Sequence, residues 1–184
     1  MVSSDATESE FRRQLGALLP RLSRFGIALT RSRSEADDLI QNACERALSR
    51  IEQWKPETRL DSWMFRIMQT IWFNELRHRK VRAQHAQEVL EHESADNGDQ
   101  VAETRVLLTR VEKEILQLSE EQRIVLMLVC VEGLTYREAA EAALIPIGTV
   151  MSRLAKARST LMERIGDSGP SRDNVIKLVG KCRS

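Results

Sequence analysis

Residues 134–165 read LTYREAAEAALIPIGTVMSRLAKARSTLMERI, and most of what the chain discloses about its fold follows from them. Thr135 is a capping residue, and Glu138, three positions on, is spaced to reach back to the cap's own backbone N–H in a capping box. A short helix therefore starts there. It cannot run through Ile145-Pro146-Ile147-Gly148, because proline lacks the N–H that a helix interior needs and pushes the preceding residue out of the α region. A second helix is expected from about Thr149. Val150, Leu154, Ala157 and Leu161 recur at helical spacing as its core face, which leaves Thr149, Ser152, Arg153, Lys156 and Ser159 opposite. These are groups that donate to phosphates and base edges. Pattern alone leaves two readings open: a helix-turn-helix that reads DNA, and a helical hairpin with a solvated basic face.

Working outward, 184 residues suffice for one ordinary domain or two small ones. Charged residues make up 30% but the net charge is only +1, so no overall positive field draws the protein to nucleic acid and any DNA contact is local. No apolar run approaches the roughly 20 residues of a membrane span, and the opening MVSSDATESE lacks a signal-peptide core, which reads as cytoplasmic. Cys44, Cys130 and Cys182 form no C-x-x-C pair, so neither a disulfide framework nor a zinc finger is expected, and Cys44 and Cys130 on apolar helical faces read as buried thiols.

Helical periodicity continues toward the N-terminus. Phe11, Leu15, Leu18, Leu19, Leu22 and Phe25 mark one amphipathic helix. Ser34 precedes a second, with Leu39, Ile40, Ala43, Cys44, Ala47, Leu48 and Ile51 on one face and Trp54-Lys55-Pro56 at its end. Asp61 is placed to cap a third, whose stripe of Trp63, Met64, Ile67, Met68, Ile71 and Leu76 leads into the basic run at 77–82. Between Ala83 and Thr104 there is no lysine or arginine, while six acidic residues appear, a composition that predicts a flexible acidic linker. Order is expected again from Val106, with Ser119 and Gln122 as a capping box ahead of 124–131 and Gly133 ending that helix. The expectation is all-α: an N-terminal helical domain at 1–82, the linker at 83–104, a four-helix domain at 105–166 and a tail of unassigned role at 167–184.

Three segments in this order carry a resemblance: SEADDLIQNACERAL at 34–48, LDSWMFRIMQTIWFNELRHRK at 60–80 and GLTYREAAEAALIPIGTVMSRLAKARSTL at 133–161. They resemble the core-polymerase-binding helix, the promoter-melting segment and the upstream-element reader of bacterial sigma factors of the extracytoplasmic-function group. The resemblance implies a non-enzymatic initiation factor, without cofactor or metal, whose partners are core RNA polymerase, double-stranded promoter DNA, the melted non-template strand and an inhibitory anti-sigma factor. It implies polymerase contacts at Asp37, Asp38, Gln41, Asn42 and Glu45. Minus-ten contacts are implied at Thr70, Trp72, Phe73, Asn74, Arg77, Arg79 and Lys80, a mixture of rings for an unstacked base and cations for its phosphates. Minus-thirty-five contacts are implied at Tyr136, Arg137, Thr149, Ser152, Arg153 and Lys156. The adjacent Trp72 and Phe73 cannot both face inward, and Trp63, at the head of the stripe, reads as the deeper core residue.

The chain departs from the family pattern at several places. Thr70 and Asn74 stand where asparagine and aspartate are common, and Met151 stands where lysine is frequent. Leu144 replaces the usual turn glycine; a left-handed backbone is costly for leucine, so another turn geometry is expected, helped by Pro146. Competing readings are a regulator that binds DNA without polymerase, a sigma-like decoy that binds only an inhibitor, and a helical metal site at Asp37, Asp38 and Glu45. The first leaves the N-terminal domain unemployed, the retained cations speak against the second, and no H-E-x-x-H motif supports the third. His78, His85 and His92, seven apart, read as solvent-exposed rather than metal-binding.

Overall fold

The computed structural model describes residues 4–54, 58–85, 111 and 113–166, with side chains over 8–54, 58–81, 111 and 113–164. The expected linker beyond residue 85 and the tail at 167–184, with His92 and Cys182, lie outside the described residues. No strand occurs among the described residues, and the chain divides into two compact units, Met1–Ser94 and Ala95–Ser184.

The first unit is built from α1 (Ser4–Thr30), α2 (Arg33–Leu48) and α3 (Leu60–His85), each packed on the other two. Phe11, Leu22, Phe25 and Leu29 of α1 meet Leu39, Ala43 and Ala47 of α2 and Met64, Phe65 and Met68 of α3 in the core. The small residues of α2 let α1 come close: a Cβ added at Gly26 would lie 3.1 Å from Ala36 Cβ. Phe25 and Phe65 pack edge to face at 4.9 Å between centroids.

Four local expectations are corrected here. The cap of α2 is Ser32, whose hydroxyl accepts from the Glu35 N–H, rather than Ser34, so the helix begins a turn's fraction earlier. It also ends at Leu48 instead of running to Trp54; a 3-10 turn at Ile51–Gln53 then swings Trp54 into the core against Phe11, 5.3 Å away and edge-on. Asp61 lies inside the first turn of α3, not before it. Its carboxylate accepts from the Ser62 N–H and pairs with Arg59 at 2.7 Å and Arg21 at 3.0 Å. Burial pushes that carboxyl up, but the bonds to Arg59 and Ser62 and the Arg21 charge outweigh it and hold it below its ordinary value. Leu19 and Leu48, assigned to apolar faces by periodicity, are exposed.

In the second unit a helical turn at 113–116 (α4) leads to α5 (Glu120–Leu126), capped by the Ser119 hydroxyl, which accepts from the Gln122 N–H. The last turn of this helix widens into a π-helix at Met127–Val131, with the Glu132 N–H donating to Met127 O. Gly133 then turns the chain at φ 72°, as expected of a C-terminal glycine, and the Leu134 N–H closes onto Leu128 O. α6 (Tyr136–Ala143) and α7 (Ile147–Gly166) follow, and both pack on α5 and on each other. Periodicity did not flag Arg123, which is 2% exposed in the apolar centre of this unit. Its guanidinium donates to Leu118 O at 2.9 Å and Leu116 O at 3.3 Å, satisfying carbonyls at the C-terminal end of α4. Cys44 and Cys130 are half-buried rather than buried; desolvation pushes the Cys44 thiol up, and Cys130 Sγ lies 4.0 Å from Arg158 Nη2.

Candidate nucleic-acid interface

Both bonds of the capping box at the head of α6 form. The Thr135 N–H donates to Glu138 Oε2 at 2.7 Å, and the Glu138 N–H donates to Thr135 Oγ1 at 3.3 Å. At the other end the turn differs from expectation: Leu144 adopts the left-handed conformation, φ 55° and ψ 38°, in the glycine position of a Schellman-type closure. Its own N–H and that of Ile145 both reach Ala140 O. The steric penalty, about 1–2 kcal/mol for a residue with a Cβ, is borne because these two bonds and the following proline determine the turn, and the leucine side chain points into solvent. Pro146 does not delay α7, which starts at Ile147, two residues before the expected Thr149. The Pro146 carbonyl accepts from the Thr149 and Val150 N–H groups, and the fixed proline φ suits a helix entry.

On α7, Val150, Leu154, Ala157 and Leu161 are buried as the spacing required. Ser152 and Lys156 are exposed on the far side, Thr149 and Arg153 half-buried at its margin, and Arg137 of α6 is exposed with Tyr136 half-buried beside it. Arg153 is not a free cation: its guanidinium pairs with Glu121 of α5 at 2.9 Å. Two large apolar residues of this helix, Ile147 and Met151, are exposed as well. Met151 stood out only as a departure from a frequent lysine, and Ile147 gave no signal of its own.

In the first unit Asp37, Asp38, Gln41, Asn42 and Glu45 are all exposed along α2, with the Gln41 amide donating to Glu45 Oε1 at 3.0 Å. On α3 the expected group of seven splits. Phe73, 38% exposed, Asn74, Arg77 and Lys80 face solvent, and Thr70 is half-buried with its hydroxyl donating to Arg66 O. Trp72 and Arg79 are placed differently from the other members of the group. Trp72 is 5% exposed, and the Arg79 guanidinium lies over its ring at 5.5 Å while bonding Glu35 of α2 at 2.9 Å and Glu75 at 3.1 Å. The Glu35 pair ties α3 to α2, while the cation–π contact and the Glu75 pair, both within α3, hold the Arg79 guanidinium in place for it. The ranking of the tryptophans is reversed as well: Trp63 is half-buried, and Phe73 is the ring left on the surface.

Comparison with known proteins gives this geometry its setting. Residues 15–69 match the family described as "Sigma2 domain of PhyR" and residues 108–161 that described as "Sigma-70, region 4". ECF RNA polymerase sigma factor EcfG of Rhodopseudomonas palustris is 30% identical over 169 residues, 89% of this chain and 92% of the relative. The chain belongs to the ECF RNA polymerase sigma factors. SigW of Bacillus subtilis, another ECF sigma factor, is 26% identical over 143 residues, 72% of this chain and 76% of SigW. Among solved structures, the sigma factor RpoE, co-crystallised with the anti-sigma factor NepR from Bartonella quintana, superposes with a TM-score of 0.76 at 27% identity, covering 87% of this chain and 99% of RpoE. CnrH, in complex with the cytosolic domain of CnrY, shares the fold at a TM-score of 0.62 and 18% identity. The region 4 match contains α5, α6 and most of α7, so the helix-turn-helix is the family's own.

Proposed function

We propose that this chain binds core RNA polymerase and directs it to promoters, gripping the DNA at two points, and that it does so in the bacterial cytoplasm as a specificity subunit with no catalytic groups of its own. The observation that carries the reading is the pairing, in one chain and in family order, of a sigma2 match and a region 4 match, each bearing an exposed polar face. The acidic and amide side chains of α2, Asp37, Asp38, Gln41, Asn42 and Glu45, dock on polymerase. Phe73, Asn74, Arg77 and Lys80 on α3 hold the melted minus-ten strand: the ring stacks on an unpaired base and the cations track its phosphates. Trp72, Arg79 and Thr70 act there as the scaffold that presents Phe73 and Asn74. The helix-turn-helix enters the major groove at the minus-thirty-five element, with Arg137, Tyr136 and Lys156 positioning it on phosphates and Thr149, Ser152 and Arg153 at base edges.

Domain bounds of 1–82 and 105–166, with the acidic segment as tether, fit this division of labour. No described helix is long and apolar enough to cross a membrane. The co-crystal of RpoE with NepR supports control of this chain by an anti-sigma factor. Titrating the labelled full chain with core polymerase tests the docking face. Tight association is expected, weakened at least tenfold by the double reversal Asp38→Arg with Glu45→Arg. An unaltered affinity in that variant overturns the α2 assignment, and no association of the wild type overturns the function.

A further inference from the structure

Most of the exposed surface that opens α7 offers no hydrogen bond to DNA. Ile147, Gly148, Met151, Ser152, Ala155 and Lys156 are exposed over its first three turns, and only Ser152 and Lys156 among them carry a side-chain donor. The Ser152 hydroxyl already donates to Thr149 O. Arg153, the one guanidinium nearby, is half-buried at the edge of this face and held by Glu121. Of the side chains that read base edges by hydrogen bonds to paired sites, only Lys156 stands on the exposed face itself, and that face carries no arginine, asparagine or glutamine.

What this face does carry is apolar. Met151 is 53% exposed and Ile147 48% exposed, and four residues apart they lie on one side of the helix as a continuous strip. The turn that precedes them is itself apolar, with Leu144 54% exposed. Large side chains left in water at this density mark a surface that something covers. Exposed cations stand on the same two helices, Arg137 on α6 and Lys156 across the exposed face of α7 from the strip, so the occupant is a polyanion with an apolar feature at groove depth. Duplex DNA has one such feature: the C5-methyl of thymine is the apolar group that a base pair presents in the major groove.

We propose that Met151, backed by Ile147, reads a thymine methyl in the upstream promoter element, so that this chain takes part of its specificity from methyl contact where arginine-bearing faces take it from hydrogen bonds. The proposal rests on the promoter-binding role above. Methionine suits it, since its three rotatable bonds and polarisable sulfur let it fill an irregular apolar gap.

Replacing thymine by deoxyuridine removes the methyl and nothing else. Holoenzyme is bound to duplexes carrying the upstream element of promoters recovered by its own run-off transcription, with each dT on either strand changed singly to dU. At one position, or two adjacent ones, dU weakens binding about fourfold, the worth of one buried methyl-sized group. Met151→Ala binds that dT duplex as weakly as wild type binds the dU duplex and no longer distinguishes the two. Because Met151 is exposed, this variant keeps its helical content, and its response to substitutions elsewhere in the element is unchanged. A flat dU scan, an unchanged dU penalty in Met151→Ala, or an upstream element made only of G·C pairs overturns the methyl reading while leaving promoter binding intact. Failure to bind any upstream element specifically overturns the promoter-binding role, and the methyl reading with it.

Discussion

Arg123→Met removes the guanidinium from the centre of the second unit and keeps a side chain of similar length. A hydrogen bond from a charged donor contributes about 1.5–3 kcal/mol net. The bond to Leu118 O is short and buried and belongs at the upper end; that to Leu116 O, at 3.3 Å and partly buried, belongs at or below the lower. Together they come to about 4 kcal/mol. Methionine avoids the cost of desolvating a cation and refills apolar volume, returning about 1–2 kcal/mol, so the net loss is about 2–3 kcal/mol. A small domain has only a few kcal/mol to lose. The chain carries its own control for this experiment. All three tryptophans, Trp54, Trp63 and Trp72, lie in the first unit, and the single tyrosine, Tyr136, lies in the second. In urea, Arg123→Met shifts the part of the circular dichroism transition that Tyr136 fluorescence follows to lower denaturant and leaves the tryptophan transition where it was. A shift below about 0.5 kcal/mol, the range of ordinary surface changes, refutes the reasoning.

Acid acts on the other unit through Asp61. Its folded-state carboxyl lies below the ordinary value, so it contributes stability above about pH 4 that is lost as pH falls through the folded value; Asp61→Asn shows a shallower acid-induced loss of the tryptophan-monitored fold. Leu144→Gly relieves the left-handed turn and stabilises the second unit by about 1 kcal/mol in denaturant titration, whereas a loss of stability there contradicts the turn geometry. Arg153→Ala weakens binding of the upstream element by about 1–3 kcal/mol and relaxes one position of the sequence preference. The same variant changes folding stability by less than about 1 kcal/mol, because the Glu121 partner is largely in water; unchanged base preference refutes its place at a base edge.

What was legible in the sequence follows the physics of each signal. Periodicity found the buried face of α7 residue by residue, and the Thr135–Glu138 spacing located a capping box that forms in full, because both signals are local. The left-handed turn at Leu144 was not legible, because the sequence shows the per-residue penalty but not the closing bonds to Ala140 O that repay it. Trp72 and Arg79 look like a base platform and a phosphate cation in sequence. Their partner Glu35 lies 44 residues before Arg79, and only the packing of α2 on α3 brings the three together. Arg123 was invisible for the same reason, since nothing local marks an arginine that folds back onto carbonyls of the preceding turn. Exposed apolar residues such as Ile147 also escape a reading that assigns every apolar residue to the core.

The most direct measurement of the whole account is run-off transcription on fragmented genomic DNA with core polymerase, with and without the full chain, followed by sequencing of transcript 5′ ends. New start sites should appear only with the chain present and share two upstream motifs at a fixed spacing. Binding to core without a single new start site contradicts promoter initiation and leaves the sigma-like decoy as the function.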